Sequence, residues 1–242
     1  GWDFSIMPVR YYNSPGGGFL SDLLDGARWA ADHGARCVNV SQTGVENAPV
    51  QVTGAYVRSR GALLIWAAGN DGRDLSWFDW EDVIIVGATD QNDEKPSWSA
   101  HGLAVDVFAP GNEILSTGVV SVLAQGSGTS ASTPLVSGLA GLIWSAHPNL
   151  LPVQVEQMIF RNAVDLGDPG EDDAWGHGRI DAASAVACPV DLVVPWGTLD
   201  FFDIVAFLNW FEAANPIADW DSDGAFTIFD LIEYLGDFDR CF

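Results

Sequence analysis

The sequence predicts an α/β protein, a doubly wound parallel sheet, followed by a small α-helical module. Three observations carry that prediction. Short strands that are apolar on both faces alternate with amphipathic helical stretches, the pattern of a parallel sheet covered on both sides. The stretch from Thr129 to Ala146 holds no charged residue, as helices in the middle of a domain do. After Cys188 the texture changes: the last 55 residues hold eleven Asp or Glu and one Arg, with an internal repeat offset by 27 residues.

Taken in order, Phe4 to Arg10 reads as a strand, followed by a Gly/Pro turn from Ser14 to Gly18. An amphipathic helix runs from Ser21 to His33, and Gly34 stops it. Next come the strand Cys37 to Ser41, a helix from Pro49 to Arg60 and the strand Ala62 to Ala68. Val83 to Ala88 and Ala104 to Phe108 are further strands. The helix Thr129 to Ala146 carries Pro134, expected in its first turn, where a missing N–H costs little. Helices Pro152 to Asn162 and Ile180 to Val186 close a first unit, residues 1–187. The second unit, residues 188–242, is a duplication in which Gly197 aligns with Gly224, Phe202-Asp203-Ile204 with Phe229-Asp230-Leu231 and Phe211 with Phe238. Each copy supplies one helix, Phe201 to Phe211 and Ile228 to Phe238.

Composition narrows the function. The 242 residues include 33 acidic and 10 basic side chains, for a net charge of -23. One lysine, Lys95, and nine arginines cannot neutralise a phosphate backbone, which excludes a nucleic-acid binder. A hydrophobic content of 48% with eleven Trp excludes a charge-expanded coil. The charge-free stretch from Ile114 to Val155 is studded with Ser, Thr, Gly and Pro, so no run of ~20 apolar residues is available to span a membrane.

Gly128-Thr129-Ser130-Ala131-Ser132-Thr133-Pro134 places a serine at the start of the charge-free helix. There, free backbone donors and the helix dipole favour negative charge developing on a bound oxygen. With four other segments, this one resembles the subtilisin-like serine proteases, the subtilases. Those segments are Val38 to Gly44, Ala67-Ala68-Gly69-Asn70, the stretch from Val83 through Trp98-Ser99-Ala100-His101-Gly102 to Val107-Phe108-Ala109-Pro110-Gly111, and Gly176 to Asp181. The resemblance runs in order from residue 4 to residue 186 and implies a sheet of subtilisin type. It also implies hydrolysis of a polypeptide through an acyl-serine intermediate, with no cofactor for the chemistry. Ser130 would be the nucleophile and Asn70 the side-chain donor of the oxyanion hole. Ser41, Gln42, Thr43, Gly44, Ala67, Ala68, Gly69 and Thr129 would line the substrate groove.

The departures from the pattern are as informative. Neither Asp-(Ser/Thr)-Gly nor His-Gly-Thr-His occurs, and His33, His101, His147 and His177 all fall outside the family's base position. The expectation is the C-terminal part of a catalytic domain, lacking the catalytic Asp and His and inactive alone. The alternative is a non-catalytic relative that keeps the fold for binding; the missing Gly-x-Ser-x-Gly disfavours a lipase-type hydrolase.

Asp219, Asp221, Asp223, the Ala225 carbonyl, Thr227 and Asp230 occupy positions 1, 3, 5, 7, 9 and 12 of a calcium loop, with Gly224 at the sharp turn. The first copy keeps only Asp200 and Asp203, so one strong calcium site and one degenerate site are expected. Duplicated loop-helix units with Asp at position 12 resemble dockerins, and the flanking cysteines resemble those of Cys-bracketed dockerin-like tails. This implies a Cys188–Cys241 disulfide, a cohesin-like or cell-surface partner and a secreted protein, since cytosol is reducing. Cys37 reads as a buried inert thiol.

Overall fold

The structure is a computed structural model that describes residues 4–11, 18–118, 122–186, 190, 192–193, 199–220 and 225–240. Helix α1 (Leu20–Asp32) leads into β1 (Cys37–Val40), α2 (Ala48–Ser59), β2 (Leu63–Ala67), β3 (Val83–Thr89) and β4 (Val107–Pro110). A hairpin, β5 (Ile114–Thr117) and β6 (Leu123–Gly126), precedes α3 (Thr129–Ala146), α4 (Pro152–Arg161) and α5 (Ala182–Ala185). The chain ends in α6 (Phe201–Glu212), a 3-10 turn (Pro216–Ala218) and α7 (Ile228–Arg240).

β1 to β4 form one parallel sheet in the order β1-β2-β3-β4, with Val40 opposite Trp66 and Trp66 opposite Ile85. Every residue of β2 and β3 is buried, because the two faces of the sheet feed different cores. Leu64, Trp66, Val83 and Ile85 pack with α1 and α2, while Leu63, Ile65, Ile84 and Val86 pack with α3 and α4. Each such fully buried aliphatic side chain contributes roughly 1.5–3 kcal/mol relative to exposure. Only the β1–β2 connection uses a helix; residues 68–82 and 90–106 join β2 to β3 and β3 to β4 without one. A third core, Val190, Leu192, Phe207, Ala218 and Tyr234, draws only on the residues after 187. Phe207 and Tyr234 stack there at 4.0 Å, whereas Leu208 and Leu235 are exposed.

Several expectations need correction. Phe4 to Arg10 is not a strand: Ile6 is 89% exposed, and the segment crosses α3 and α1, with Phe4 against Gly141 and Val9 against Gly26. Pro8 offers no N–H to a ladder, which works against pairing. The strand expected at Ala104 to Phe108 begins three residues later, since residues 102–105 make a turn closed by the Val105 N–H on Gly102. The hairpin β5–β6 was not expected at all. Ile180 to Val186 is helical only over α5, where Asp181 caps the start by accepting from the Ala183 and Ser184 N–H groups. Pro134 is the sixth residue of α3 and not in its first turn, so the Ser130 carbonyl loses its intrahelical donor.

Candidate active site

β1 and β2 end side by side, and their C-terminal ends, with the start of α3, bring most of the expected site residues to one edge of the sheet. In open parallel sheets that edge is where ligands bind. At the end of β2, Ala67, Ala68 and Gly69 are buried and Asn70 emerges exposed. Beyond β1, Ser41 and Gly44 are half-buried and Gln42 and Thr43 exposed; Asn39 donates to Ser41 Oγ at 3.1 Å.

Two long-range contacts join Asn70 to α3. Asn70 Oδ1 accepts from the Thr129 N–H at 2.8 Å and from the Thr129 hydroxyl at 3.0 Å. With its oxygen so engaged, the amide turns its Nδ2 donor away from Thr129. Thr129 Oγ1 in turn accepts from the Gly69 N–H at 3.1 Å. Thr129 is 1% exposed, and its hydroxyl donates to Asn70 while accepting from Gly69, so its side chain orients Asn70.

Ser130 is exposed at the second position of α3. Around it the Thr129 N–H goes to Asn70 and the Ala131 N–H goes to the Gly128 carbonyl at 2.9 Å. Among the described residues, the Ser130 N–H is thus left as an unengaged donor of the first turn. Gly128 has φ 151 and ψ 158, a conformation open essentially to glycine. A Cβ placed on it would lie 2.9 Å from Ser130 Oγ and 3.1 Å from Asn70 Nδ2. One small space is therefore shared by the Ser130 hydroxyl and the Asn70 side-chain amide donor. Gly128 received no role from the sequence, although its place before Thr-Ser was the available signal.

None of the atoms nearest this space belongs to a histidine. His147 caps the far end of α3, about 25 Å from Ser130 at 1.5 Å per residue. His33 Nδ1 lies 2.7 Å from the Trp29 carbonyl, and the His101 backbone bridges Asp74. His177 stacks on Phe160 at 4.4 Å, and burial lowers its pKa.

Of the expected calcium ligands, Asp219, Ala225, Thr227 and Asp230 are described, while Asp221 and Asp223 lie outside the described residues. Asp230 is fully buried and accepts from the Trp220 N–H at 2.6 Å and the Thr227 N–H at 2.7 Å. Its repeat mate Asp203 is equally buried and accepts from the Leu192, Val193 and Asp200 N–H groups at 2.6, 3.0 and 2.8 Å. Cys188 and Cys241 lie outside the described residues. Cys37 is a free, half-buried thiol whose pKa burial pushes up to about 12. No described helix is long and apolar enough to cross a membrane.

A parallel α/β sheet with an exposed serine on a helix N-terminus beside an oriented amide defines a serine-hydrolase class of site. Residues 1–178 match the description of the subtilase family (Peptidase_S8), and the chain belongs to that family. It is 36% identical over 185 residues to thermitase of Thermoactinomyces vulgaris, covering 75% of this chain and 65% of thermitase. It is 37% identical over 189 residues to a thermophilic serine proteinase of Bacillus sp. strain AK1, covering 75% of this chain and 45% of that one. The halolysin-like extracellular serine protease Nep of Natrialba magadii is 35% identical over 190 residues, with 77% of this chain and 35% of Nep covered. The chain thus spans about two thirds of thermitase or less of these relatives. Among solved structures, the prenylagaramide maturation protease PagA superimposes with a TM-score of 0.63 at 26% identity, over 74% of this chain and 70% of its own. A lanthipeptide protease gives 0.63 at 21% identity, a likeness of fold alone.

Proposed function

We propose that this chain carries the nucleophile and oxyanion hole of a secreted serine endopeptidase. The observation that supports it best is the shared space at Gly128, faced by Ser130 Oγ and Asn70 Nδ2. Ser130 Oγ attacks the peptide carbonyl as the general base takes its proton, forming a Ser130 Oγ–C bond, and the oxygen that gains charge accepts from the Ser130 N–H and Asn70 Nδ2. The protonated base gives that proton to the amine as the C–N bond breaks, leaving an acyl-serine, which water hydrolyses to a free acid and Ser130. The 41–44 and 67–69 segments form the groove for the polypeptide. Because neither Asp-(Ser/Thr)-Gly nor His-Gly-Thr-His occurs in these 242 residues, the general base and its carboxylate are placed outside them, and the chain alone does not turn over peptides efficiently.

Residues 188–242 are proposed to be a dockerin-like module that attaches the enzyme to a cohesin-like or cell-surface partner. Asp219, Asp221, Asp223, the Ala225 carbonyl, Thr227 and Asp230 would hold one calcium ion, which supplies the charge that draws the loop together. The donor set fits a hard cation: every candidate ligand is an oxygen, and the Asp230 carboxylate accepts from the Trp220 and Thr227 N–H groups of the same loop. A Cys188–Cys241 disulfide would staple the module by roughly 4 kcal/mol in the chain-entropy model. Export follows from that pairing and agrees with the extracellular relative Nep.

The test is covalent labelling with a fluorescent fluorophosphonate. The protein with its general base present labels at Ser130, and Ser130→Ala abolishes labelling; the 242 residues alone label about 10⁴-fold more slowly or worse. Labelling that survives Ser130→Ala would refute the assignment.

A further inference from the structure

We infer that Trp66 and Trp80 are positioning residues that fix one wall of the substrate groove through their indole N–H groups. The segment from Ser41 to Asn47 belongs to neither helix nor strand until α2 begins, so no ladder satisfies its carbonyls. Side chains satisfy them instead. Trp66 Nε1 donates to the Gln42 carbonyl at 2.7 Å, and Trp80 Nε1 donates to the Val45 carbonyl at 2.8 Å. Between them, the Gly44 carbonyl accepts from Asn47 Nδ2 at 2.8 Å.

The origin of the two indoles matters more than their number. Trp66 is fully buried in β2, one residue before the Ala67-Ala68-Gly69-Asn70 segment that forms the opposite wall. The Gln42 carbonyl is therefore tied to the same strand that delivers Asn70. Trp80 stands just before β3, where its carbonyl accepts from the Val83 N–H at 3.1 Å and its ring meets Phe78 at 4.8 Å. An indole N–H is a donor only, and a buried one needs an acceptor. Here both are spent on the main chain of one four-residue segment, which Trp66 ties to the strand leading into 67–70 and Trp80 ties to the approach to β3. A groove of fixed width selects among side chains of different bulk, and this selection is the function assigned to the pair.

With Ser130 as nucleophile, as proposed above, the test compares Trp66→Phe and Trp80→Phe with the parent in the protein that has its general base. Each variant keeps an aromatic ring in the core and removes the donor. The expectation is about a tenfold rise in KM for peptides with a large residue before the scissile bond, with kcat for small-residue peptides nearly unchanged. Placing 3-benzothienylalanine at position 66 keeps the full Trp shape without the N–H and covers the case in which Trp66→Phe does not fold. The same KM shift with that analogue supports positioning; a lower melting temperature with unchanged KM and unchanged selectivity shows mere packing and overturns the inference. Hydrolysis that persists in Ser130→Ala separates a failed protease assignment from a failed positioning role.

Discussion

Asn70→Asp separates the chemistry of the oxyanion donor from its structural support. The side chain is exposed, and its Oδ1 holds Thr129 through two hydrogen bonds at 2.8 and 3.0 Å. An aspartate keeps that acceptor. Its negative charge sits at the N-terminus of α3, where a helix dipole adds about 0.3–1 kcal/mol of stabilisation. Folding should therefore be unaffected or slightly favoured. The other atom changes completely: the Nδ2 donor, 3.1 Å from a Cβ position at Gly128, becomes an acceptor aimed at the developing oxyanion. Loss of one such donor lowers kcat by about 10²–10³, equivalent to roughly 2.7–4 kcal/mol of transition-state stabilisation. Steady-state hydrolysis of a peptide p-nitroanilide by the protein with its general base, alongside thermal melting, reads both quantities. An Asn70→Asp enzyme with the parent's melting temperature and a kcat close to the parent's would refute the oxyanion assignment.

Gly128→Ala should abolish measurable hydrolysis, because its methyl occupies the space between Ser130 Oγ and Asn70 Nδ2, and should lower stability by about 1–3 kcal/mol in denaturant titrations. Arg58 clasps Glu156 through both oxygens at 2.7 and 2.9 Å, so Arg58→Met leaves a carboxylate with 9% side-chain exposure unpaired. The expected cost in urea denaturation is about 3–5 kcal/mol at neutral pH, and it shrinks as acid protonates Glu156, whose pKa burial already raises despite Arg58. Desolvation holds the Asp106 carboxyl well above its usual range while it accepts from the Ile85 N–H at 2.6 Å. The folded chain then keeps a proton that the unfolded chain releases, so stability falls as pH rises above about 4, and Asp106→Asn should remove that slope from melting curves taken across pH. In the second unit, Asp230→Ala should abolish the rise in melting temperature on adding calcium, whereas Asp203→Ala should lower it equally in calcium and in chelator.

What the sequence made legible divides along the range of the interactions. β2 and β3 were readable because burial on both faces leaves an uninterrupted apolar run, as at Leu63-Leu64-Ile65-Trp66. The hairpin β5–β6 was not, since β6 is exposed along its length and β5 nearly so, and the pairing rests on backbone bonds that leave no hydrophobic alternation. Phe4 to Arg10 has the composition of a strand, but strands need a neighbour, and none pairs with it. Ser130 and Asn70 were singled out through short motifs, and their side chains lie together beside Gly128. The roles of Thr129 and Gly128 were hidden because they depend on partners about 60 residues away, Asn70 and Gly69, which no local pattern announces.

The duplicated tail shows why a motif's last residue should not be read as a ligand on its own. Asp203 and Asp230 are related by the 27-residue repeat, yet only the second has a full ligand set in its loop. Both are fully buried, and both accept from backbone N–H groups at equivalent places: Val193 and Asp200 in the first copy, Trp220 and Thr227 in the second. A carboxylate that accepts two or three backbone N–H bonds closes its loop and caps the helix in whose first turn it sits without any cation. The first copy could therefore lose the acids at positions 1, 3 and 5 while retaining position 12, because that side chain has a second task that does not depend on metal. Retention of Asp203 thus follows from the backbone bonds, and the expectation of a single calcium site rests on the acids before Gly224 alone.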